Sequence, residues 1–190
     1  MTKSLTRAER KYRTEIEEIA VLTDMDIWNV EAWTYSRIDR LKVMRDKFVR
    51  VEVIMLYTVI DEILTDIICD YYFPRKKNEW THQRLWKKKR FRVFVHYLMD
   101  ELFLLKKLQM VEAIRPIPKN VSSAIKRIND IRNVLAHSLF PKRRRRYMAD
   151  KKLLYHGTNL FSAAGVQKFQ DDFDVAYEWL RFEQKAAGIV

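Results

Sequence analysis

Arg132 and His137, at the two ends of the segment RNVLAH, are the residues whose types and spacing best suit chemistry on a phosphodiester. Arginine carries a permanent positive charge on a planar fork that matches phosphate oxygens. Histidine titrates at about pH 6.5 when unperturbed, so it can accept or give a proton at physiological pH. Held together, the two side chains can bind a phosphate and move a proton, the two tasks needed to cleave an RNA backbone.

A helix must position these two residues. The apolar residues around them recur at helical spacing and predict a helix from residue 120 or 121 through His137. This apolar set is Ala124, Ile125, Ile128, Ile131, Val134 and Leu135. At about 100° per residue, Asp130, Asn133 and His137 share one polar face, which can hydrogen-bond the imidazole and select its tautomer.

Arg132 does not share that face. It lies about 140° around an ideal helix from His137, so a single helix does not aim both side chains at one phosphate. Either the long arginine curls round the helix, or two copies related by a two-fold axis complete the site. The pattern therefore favours a homodimer.

The composition favours a helical protein with a polyanionic partner. Of the 190 residues 48% are hydrophobic, enough for a core domain with or without an extension. Only three glycines and four prolines occur, and this shortage favours long helices joined by few breaks. The 37 Lys and Arg against 25 Asp and Glu give a net charge of +12. Such a surplus favours RNA or DNA as the partner, although an excess of lysine can also serve solubility alone.

The sequence argues against a membrane protein and against a disulfide-bonded or zinc-bound one. No apolar stretch approaches the roughly 20 residues that span a bilayer, and the N-terminus lacks the apolar segment of a signal peptide. Cys69 is the only cysteine, and its neighbours Ile67 and Ile68 predict a buried thiol. We therefore expect a cytoplasmic protein with no membrane association, no metal and no cofactor.

Changes in composition predict three regions. Residues 1–45 form an N-terminal helical extension, residues 46–140 a helical core, and residues 141–190 a C-terminal extension with a basic run, a short hairpin-like turn at Gly157 and a helix. Besides the helix ending at His137, the expected helices are Thr6 to about Leu22, Asp24 to Asp46, Lys47 to Phe73 before Pro74, about Phe91 to Glu112, and about Val166 to Gln184.

The segment from Lys47 to Phe73 is apolar around much of its circumference, which is typical of a helix at the centre of a bundle or across a dimer interface. Glu52 and either Asp61 or Glu62 are difficult to expose on such a helix. Since a buried carboxylate is costly without compensation, each is expected to need a cationic partner.

Two basic segments could hold nucleic acid. Between Trp80 and Arg90 basic residues alternate with two tryptophans, the composition of a surface that binds by charge and stacking. The alternative is a solvated connector whose tryptophans fill the core. The second segment is the basic run after Pro141. The residues expected to contact RNA are Lys87, Lys88, Lys89, Arg90, Arg143, Arg144, Arg145 and Arg146.

The segment from Ile128 to His137 resembles the signature helix of the HEPN superfamily, in which an arginine is followed by four to six variable residues and a histidine. A polar residue directly after the arginine, here Asn133, is common in that motif. The upstream pattern is also similar, with a long apolar helix containing Asp61 and Glu62. The resemblance covers about residues 46–140.

The resemblance implies an all-α fold, an antiparallel helical bundle of HEPN type that usually forms a homodimer with the motif helices face to face. It implies a metal-independent endoribonuclease of a toxin–antitoxin, anti-phage or RNA-processing system. His137 would assist attack by the ribose 2′-OH or protonate the leaving oxygen, Arg132 would stabilise the phosphorane, and Asn133 would orient the histidine or the phosphate. Asp61 or Glu62 would brace Arg132. The products would be a 2′,3′-cyclic phosphate and a 5′-hydroxyl.

The sequence departs from the family pattern at one position, and two alternative interpretations stay open. Some toxins of the family carry a tyrosine two residues after the histidine, which an antitoxin nucleotidyltransferase modifies, and Leu139 occupies that place here. A non-catalytic helical module that binds RNA, a nucleotide or a partner protein would explain the same pattern, with the Arg–His pair as scaffold. The first 45 residues could also dock a cognate antitoxin or another regulatory protein.

Overall fold

The structure, a computed structural model, describes residues 5–24, 38–75, 82–137 and 153–186, with the backbone alone at 38–40, 137, 185 and 186. Helices account for most of these residues. The elements are α1 (Arg7–Leu22), α2 (Ile38–Tyr72), α3 (Gln83–Trp86), α4 (Lys89–Phe94), a π-helical turn (Val95–Met99), α5 (Leu104–Ile114), α6 (Lys119–His137), β1 (Leu154–Tyr155), β2 (Thr158–Asn159) and α7 (Ala163–Ala186). The prediction of an all-α fold is confirmed at this level.

Local signals explain where several helices begin and end. Thr6 caps α1: its hydroxyl accepts a hydrogen bond from the Glu9 backbone N–H, and the Glu9 carboxylate accepts one from the Thr6 backbone N–H. The Thr6 backbone N–H and hydroxyl both donate to the Glu9 carboxylate and hold the pKa of Glu9 below its ordinary value. At the C-terminal end of α2, Tyr72 is the last helical residue, which agrees with the predicted stop at Pro74.

The helix α2 is longer than predicted. It runs without interruption from Ile38 to Tyr72, so the boundary that the sequence analysis placed between Asp46 and Lys47 is wrong. Neither glycine nor proline occurs between these ends, and apolar side chains on both sides of the supposed boundary, such as Leu41 and Val49, are buried. The start of the predicted second helix, at residues 25–37, lies outside the described residues.

The predicted helix from Phe91 to Glu112 is wrong as a continuous element. A π-helical turn at Val95–Met99 ends it, Phe103 is extended, and α5 begins at Leu104. The reason lies in the core, because Met99 and Leu104 are both fully buried. Five residues apart on one straight helix, they would point about 140° away from each other. The break turns both side chains inward.

The chain divides into two compact units: unit 1 comprises Met1–Met55 and Ile131–Asp171, and unit 2 comprises Leu56–Asp130 and Asp172–Val190. The three regions predicted from composition stay a prediction. In unit 1, Ile16 packs with Leu41, and the ring of Tyr155 packs on Phe169 at 5.6 Å between centroids.

Unit 2 contains a larger hydrophobic core. The buried side chains of this core are Ile60, Ile63, Leu64, Ile67, Ile68, Cys69, Leu85, Phe91, Val95, Met99, Leu104, Leu108, Val111, Val121, Ala124, Ile125, Ala176 and Leu180. The predicted burial of Cys69 is confirmed. Burial raises the pKa of its thiol to about 12, and the nearby carboxylates of Asp66 and Asp70 act in the same direction. The thiol therefore stays protonated at neutral pH and is a packing group.

The hairpin predicted around Gly157 is confirmed. Strands β1 and β2 pair antiparallel, with Tyr155 opposite Thr158. Both turn residues have positive φ, 46° at His156 and 73° at Gly157, as in a type I′ turn, whose twist matches that of the paired strands. The hairpin packs on the first turn of α7 at Gly165, where a Cβ would clash with the carbonyl oxygen of Asn159. Within unit 1 this glycine allows the helix to approach the hairpin backbone closely.

Candidate functional site

The predicted helix that carries Arg132 is confirmed as α6 (Lys119–His137). Its apolar face is anchored in unit 1 through the buried Ile131 and Leu135. Arg132 and Asn133, between these two positions, are both half-buried. The two polar side chains therefore lie beside two buried apolar side chains, which hold this part of α6 in place.

The guanidinium of Arg132 turns toward Asn133. Its Nη1 donates a hydrogen bond to Asn133 Oδ1 at 3.2 Å. Adjacent helical residues point about 100° apart, so the long arginine has to bend round the helix to make this bond. Of the two arrangements expected from the sequence, this contact corresponds to the curled arginine, because Asn133 belongs to the predicted polar face.

The other two members of the predicted polar face are Asp130 and His137. Asp130 is exposed and belongs to unit 2. His137 is the last residue of α6, and its side chain lies outside the described part of the chain. The convergence of its imidazole with Arg132 stays a prediction.

Arg50 on α2 is a residue of this site that the sequence analysis missed. Its Nη1 donates to the carbonyl oxygen of Leu135 at 3.0 Å, in the last turn of α6. The last four carbonyls of a helix have no intrahelical partner, and a cation there is favoured by the helix dipole. Arg50 thus fixes the end of α6 that carries Arg132. An arginine within the apolar run of α2 was the signal in the sequence.

Aromatic rings support the same region of α2. The guanidinium carbon of Arg50 lies 5.9 Å from the ring centroid of Phe161, and that of Arg45 lies 5.8 Å from the same ring. Arg45 also lies 5.7 Å from the ring of Tyr12 and pairs with Glu15. Unit 1 therefore gathers arginines from α2 against α1 and the segment that follows the hairpin.

The two inward carboxylates of α2 are compensated differently. Glu52 is only 8% exposed, and its Oε1 accepts a hydrogen bond from Gln170 Nε2 at 2.7 Å. The described residues thus give it a neutral amide where we expected a cation. Gln170 Nε2 also donates to the Leu22 carbonyl oxygen at 2.6 Å, so the amide joins α7, α2 and the end of α1.

Asp61 has the cationic partner that the sequence predicts. Lys107 Nζ on α5 lies 2.6 Å from Asp61 Oδ2 and is itself buried. Glu62 is exposed. Both carboxylates belong to unit 2 and Arg132 to unit 1, and the brace predicted between them stays a prediction.

A second ionic group, which we call the Asp70 cluster, consists of Asp66, Asp70, Arg75 and His82 in unit 2; the last three side chains are buried, whereas that of Asp66 is 45% exposed. Arg75 holds both carboxylate oxygens of Asp70, at 2.7 and 2.6 Å. His82 Nε2 lies 3.0 Å from Asp70 Oδ1, and its Nδ1 lies 3.6 Å from Asp66 Oδ1. Burial raises the pKa of Asp66, against the opposing charges of His82 and Arg75. The cluster ties the chain after Pro74 and the residue before α3 to the end of α2.

The first of the two predicted basic segments is exposed in unit 2. Lys87, Lys88, Lys89 and Arg90 lie at the junction of α3 and α4 and are all exposed. Trp86 is partly exposed and packs edge-on against Phe91 at 5.4 Å. Trp80 and the basic run Arg143, Arg144, Arg145 and Arg146 lie outside the described residues.

Comparison of the chain with models of protein families, with curated proteins and with solved structures gives no match. Within the described ranges, none of the helices is both long enough and apolar enough to cross a bilayer. In the same ranges, His, Cys, Asp and Glu side chains do not gather in a group of three suited to a metal ion.

Proposed function

We propose that this protein is a metal-independent endoribonuclease of HEPN type, with Arg132 and His137 as its catalytic residues. The observation that carries the proposal is the bond from Arg132 to Asn133, near the C-terminal end of a helix whose last residue is His137. It brings a permanent cation onto the polar face that the histidine is expected to share. A phosphate at that face could meet a charge and a proton carrier together.

The proposed reaction needs no metal ion. One imidazole of His137 accepts the proton of the ribose 2′-OH as the 2′ oxygen attacks phosphorus. The guanidinium of Arg132 stabilises the extra negative charge of the phosphorane. The P–O5′ bond then breaks, and an imidazolium gives its proton to the leaving 5′ oxygen. The products are a 2′,3′-cyclic phosphate and a 5′-hydroxyl, and all atoms of the RNA are retained.

A homodimer would supply both proton carriers. Large apolar side chains of unit 1 are exposed on α2, at Val51, Ile54 and Met55, and on α6 at Val134. Exposed apolar patches of this kind often mark interfaces between proteins. We propose that they belong to an isologous contact that places two α6 helices face to face in an antiparallel bundle. A defence or toxin–antitoxin role, held in check by a regulatory protein, is the biological setting that fits such an enzyme.

A cleavage assay in EDTA tests the proposal. Wild-type protein is expected to cleave single-stranded RNA to 2′,3′-cyclic phosphate ends, and a substrate with 2′-deoxyribose throughout is expected to remain intact. Arg132→Ala and His137→Ala should each lose activity by a factor of about 100 to 10,000. Lys126→Ala, which removes an exposed cation from the same helix, is the matched control. Equal background from all proteins would refute the enzyme.

The same assay tests the alternative function, a non-catalytic module that binds RNA. The exposed basic residues at the junction of α3 and α4 favour RNA binding whether or not cleavage follows. Tight binding of RNA with no cleavage by the wild type, in EDTA or with added divalent cations, would make the Arg–His pair a scaffold. Sedimentation of Ile54→Lys and Met55→Lys tests the dimer, and monomers without activity are the expected result.

A further inference from the structure

Several aromatic side chains at the end of α2 and on α3 are exposed although they belong to unit 2, which has a large core. Tyr71 and Tyr72 are 59% and 52% exposed, and Trp86 is 40% exposed. Isolated exposed rings are ordinary, but a contiguous group of large apolar side chains is typical of a binding surface. The rings of these residues belong to one set of aromatic contacts that continues from the surface into the core.

The connection runs through partly and fully buried phenylalanines. Tyr72 lies 5.4 Å from Phe94, and Phe94 lies 5.1 Å from Phe73, measured between ring centroids. Phe73 in turn contacts Phe91 at 5.3 Å, and Phe91 contacts Trp86 at 5.4 Å. Packed rings keep their orientation, so a base that stacks on the exposed members meets a surface that is already ordered. We call Tyr71, Tyr72, Phe73, Trp86, Phe91 and Phe94 the aromatic strip.

The Asp70 cluster fixes this strip from inside. His82 stacks on the ring of Phe91, with 5.3 Å between centroids and 23° between planes. The edge of the same imidazole is held by Asp70, which is locked in turn by Arg75. The buried ionic group therefore acts as a support for the ring on which Trp86 packs.

The charge beside the strip is positive. Lys87, Lys88 and Lys89 directly follow Trp86 and are exposed, and the guanidinium carbon of Arg90 lies 5.9 Å from the ring centroid of Phe73. Arg92, which is exposed and lies on α4, is the fifth cation beside the strip. The described acidic side chain nearest the strip in sequence is Asp70, which precedes Tyr71 and is buried against Arg75, and on the α4 side Asp100 pairs with His96. A polyanion with flat apolar groups complements both properties of the surface.

We infer that the aromatic strip and its basic border bind single-stranded RNA, with bases stacked on Tyr72 and Trp86 and phosphates on Lys87, Lys88, Lys89 and Arg90. Unpaired bases can stack on aromatic side chains, whereas the bases of a duplex are already stacked on each other. The inference names the form of the substrate and rests on the proposed function only in taking RNA as the ligand.

Binding is measured by fluorescence anisotropy with a short labelled RNA, single-stranded or annealed to its complement, on His137→Ala protein so that cleavage does not interfere. Tyr72→Leu and Trp86→Leu should each weaken single-strand binding roughly 5- to 150-fold and leave duplex binding almost unchanged. Phe182→Leu, at a ring that is 65% exposed on α7, is the matched control and should bind as well as the parent. Circular dichroism checks that each variant is folded.

Charge is tested separately from stacking. Lys89→Gln should weaken binding and flatten its salt dependence, whereas Lys126→Gln on α6 should do neither. Tyr72 is largely exposed, so Tyr72→Leu decides the question even if Trp86→Leu unfolds. Unchanged affinity in Tyr72→Leu, or a preference for the duplex, would overturn the inference.

Two further outcomes separate this inference from its alternatives. If Tyr72→Leu converts a dimer to a monomer and leaves RNA affinity unchanged, the strip is a subunit contact and the inference is wrong. If RNA binding depends on the strip but the wild type forms no cyclic phosphate, the inference stands and the proposed nuclease fails. Loss of cleavage in Arg132→Ala with unchanged binding would support both.

Discussion

In unit 2, Lys107 and Arg75 are held by the carboxylates of Asp61 and Asp70, whereas in unit 1 Arg50 and Arg132 donate to a backbone carbonyl and an amide oxygen. The difference predicts separate consequences of mutation. Removing one member of a buried ion pair weakens the compensation of the charge that stays buried, while removing an arginine from a neutral acceptor leaves that oxygen unsatisfied. Substitutions in unit 2 should therefore act on stability, and those near Arg132 should act mainly on chemistry.

The largest stability effect is expected at Asp70. Asp70→Ala removes both hydrogen bonds from the buried guanidinium of Arg75 to this carboxylate and also removes the hydrogen bond between Asp70 and His82. The side chains of Asp70 and Arg75 are only 8% and 5% exposed. We expect the free energy of unfolding to fall by about 3–5 kcal/mol in urea denaturation. The control is Asp171→Ala on the exposed face of α7, with an expected change within about 0.5 kcal/mol.

Two glycines of unit 1 give a matched pair of smaller effects. In Gly165→Ala the new methyl group meets the carbonyl of Asn159, so backbone has to move and we expect a loss of about 1–3 kcal/mol. In Gly157→Ala the methyl group meets nothing within 4 Å, and only the positive φ of 73° is unfavourable, with an expected loss of about 1 kcal/mol. Equal urea midpoints for the two variants would contradict the close packing of α7 on the hairpin.

Arg50 is expected to matter for both stability and activity. Arg50→Met keeps an apolar stem of similar length and removes the donor to Leu135, at an expected cost of about 1–2 kcal/mol. Because the end of α6 is then held less firmly, the cleavage rate should fall even at temperatures where the variant is fully folded. Arg50→Lys should restore part of the activity. Wild-type cleavage by Arg50→Met would remove Arg50 from the site.

Ionisation of the Cys69 thiol is expected to have no effect on stability at neutral pH and to lower stability only at high pH. In the unfolded chain the thiol ionises near its ordinary pKa of 9.0, whereas in the folded protein it ionises at about 12. The unfolded state therefore loses this proton first, and stability decreases as pH rises through this interval, with no contribution below it. Cys69→Ala should show a weaker decrease in unfolding midpoint between these pH values than wild type. Equal slopes would contradict the buried thiol, as would rapid alkylation of the native protein at pH 8.

The sequence was sufficient for elements with strong local signals. Helix α6 and the end of α2 before Pro74 follow from apolar spacing and proline, and the hairpin follows from its turn at Gly157. It was insufficient where tertiary packing decides. The break before Leu104 depends on two side chains sharing one core, and the continuity of α2 through Asp46 depends on burial on both sides.

The site was predicted only in part for the same reason. Arg132 and Asn133 lie close in sequence, so local spacing could indicate them. Arg50 and Leu135, by contrast, are joined only by folding, and local spacing contains no information on that pairing. The neutral partner of Glu52 is likewise a residue more than a hundred positions away, Gln170. Physical rules required that this carboxylate be compensated, but they did not specify by which group.

The most direct test of the central claim measures cleavage and stability on the same Arg132→Ala protein in EDTA. We expect formation of 2′,3′-cyclic phosphate ends to fall at least about 100-fold, while the free energy of unfolding changes by less than it does in Asp70→Ala. A wild-type protein that leaves no cyclic phosphate on any RNA, or an Arg132→Ala protein that cleaves at the wild-type rate, would contradict the account.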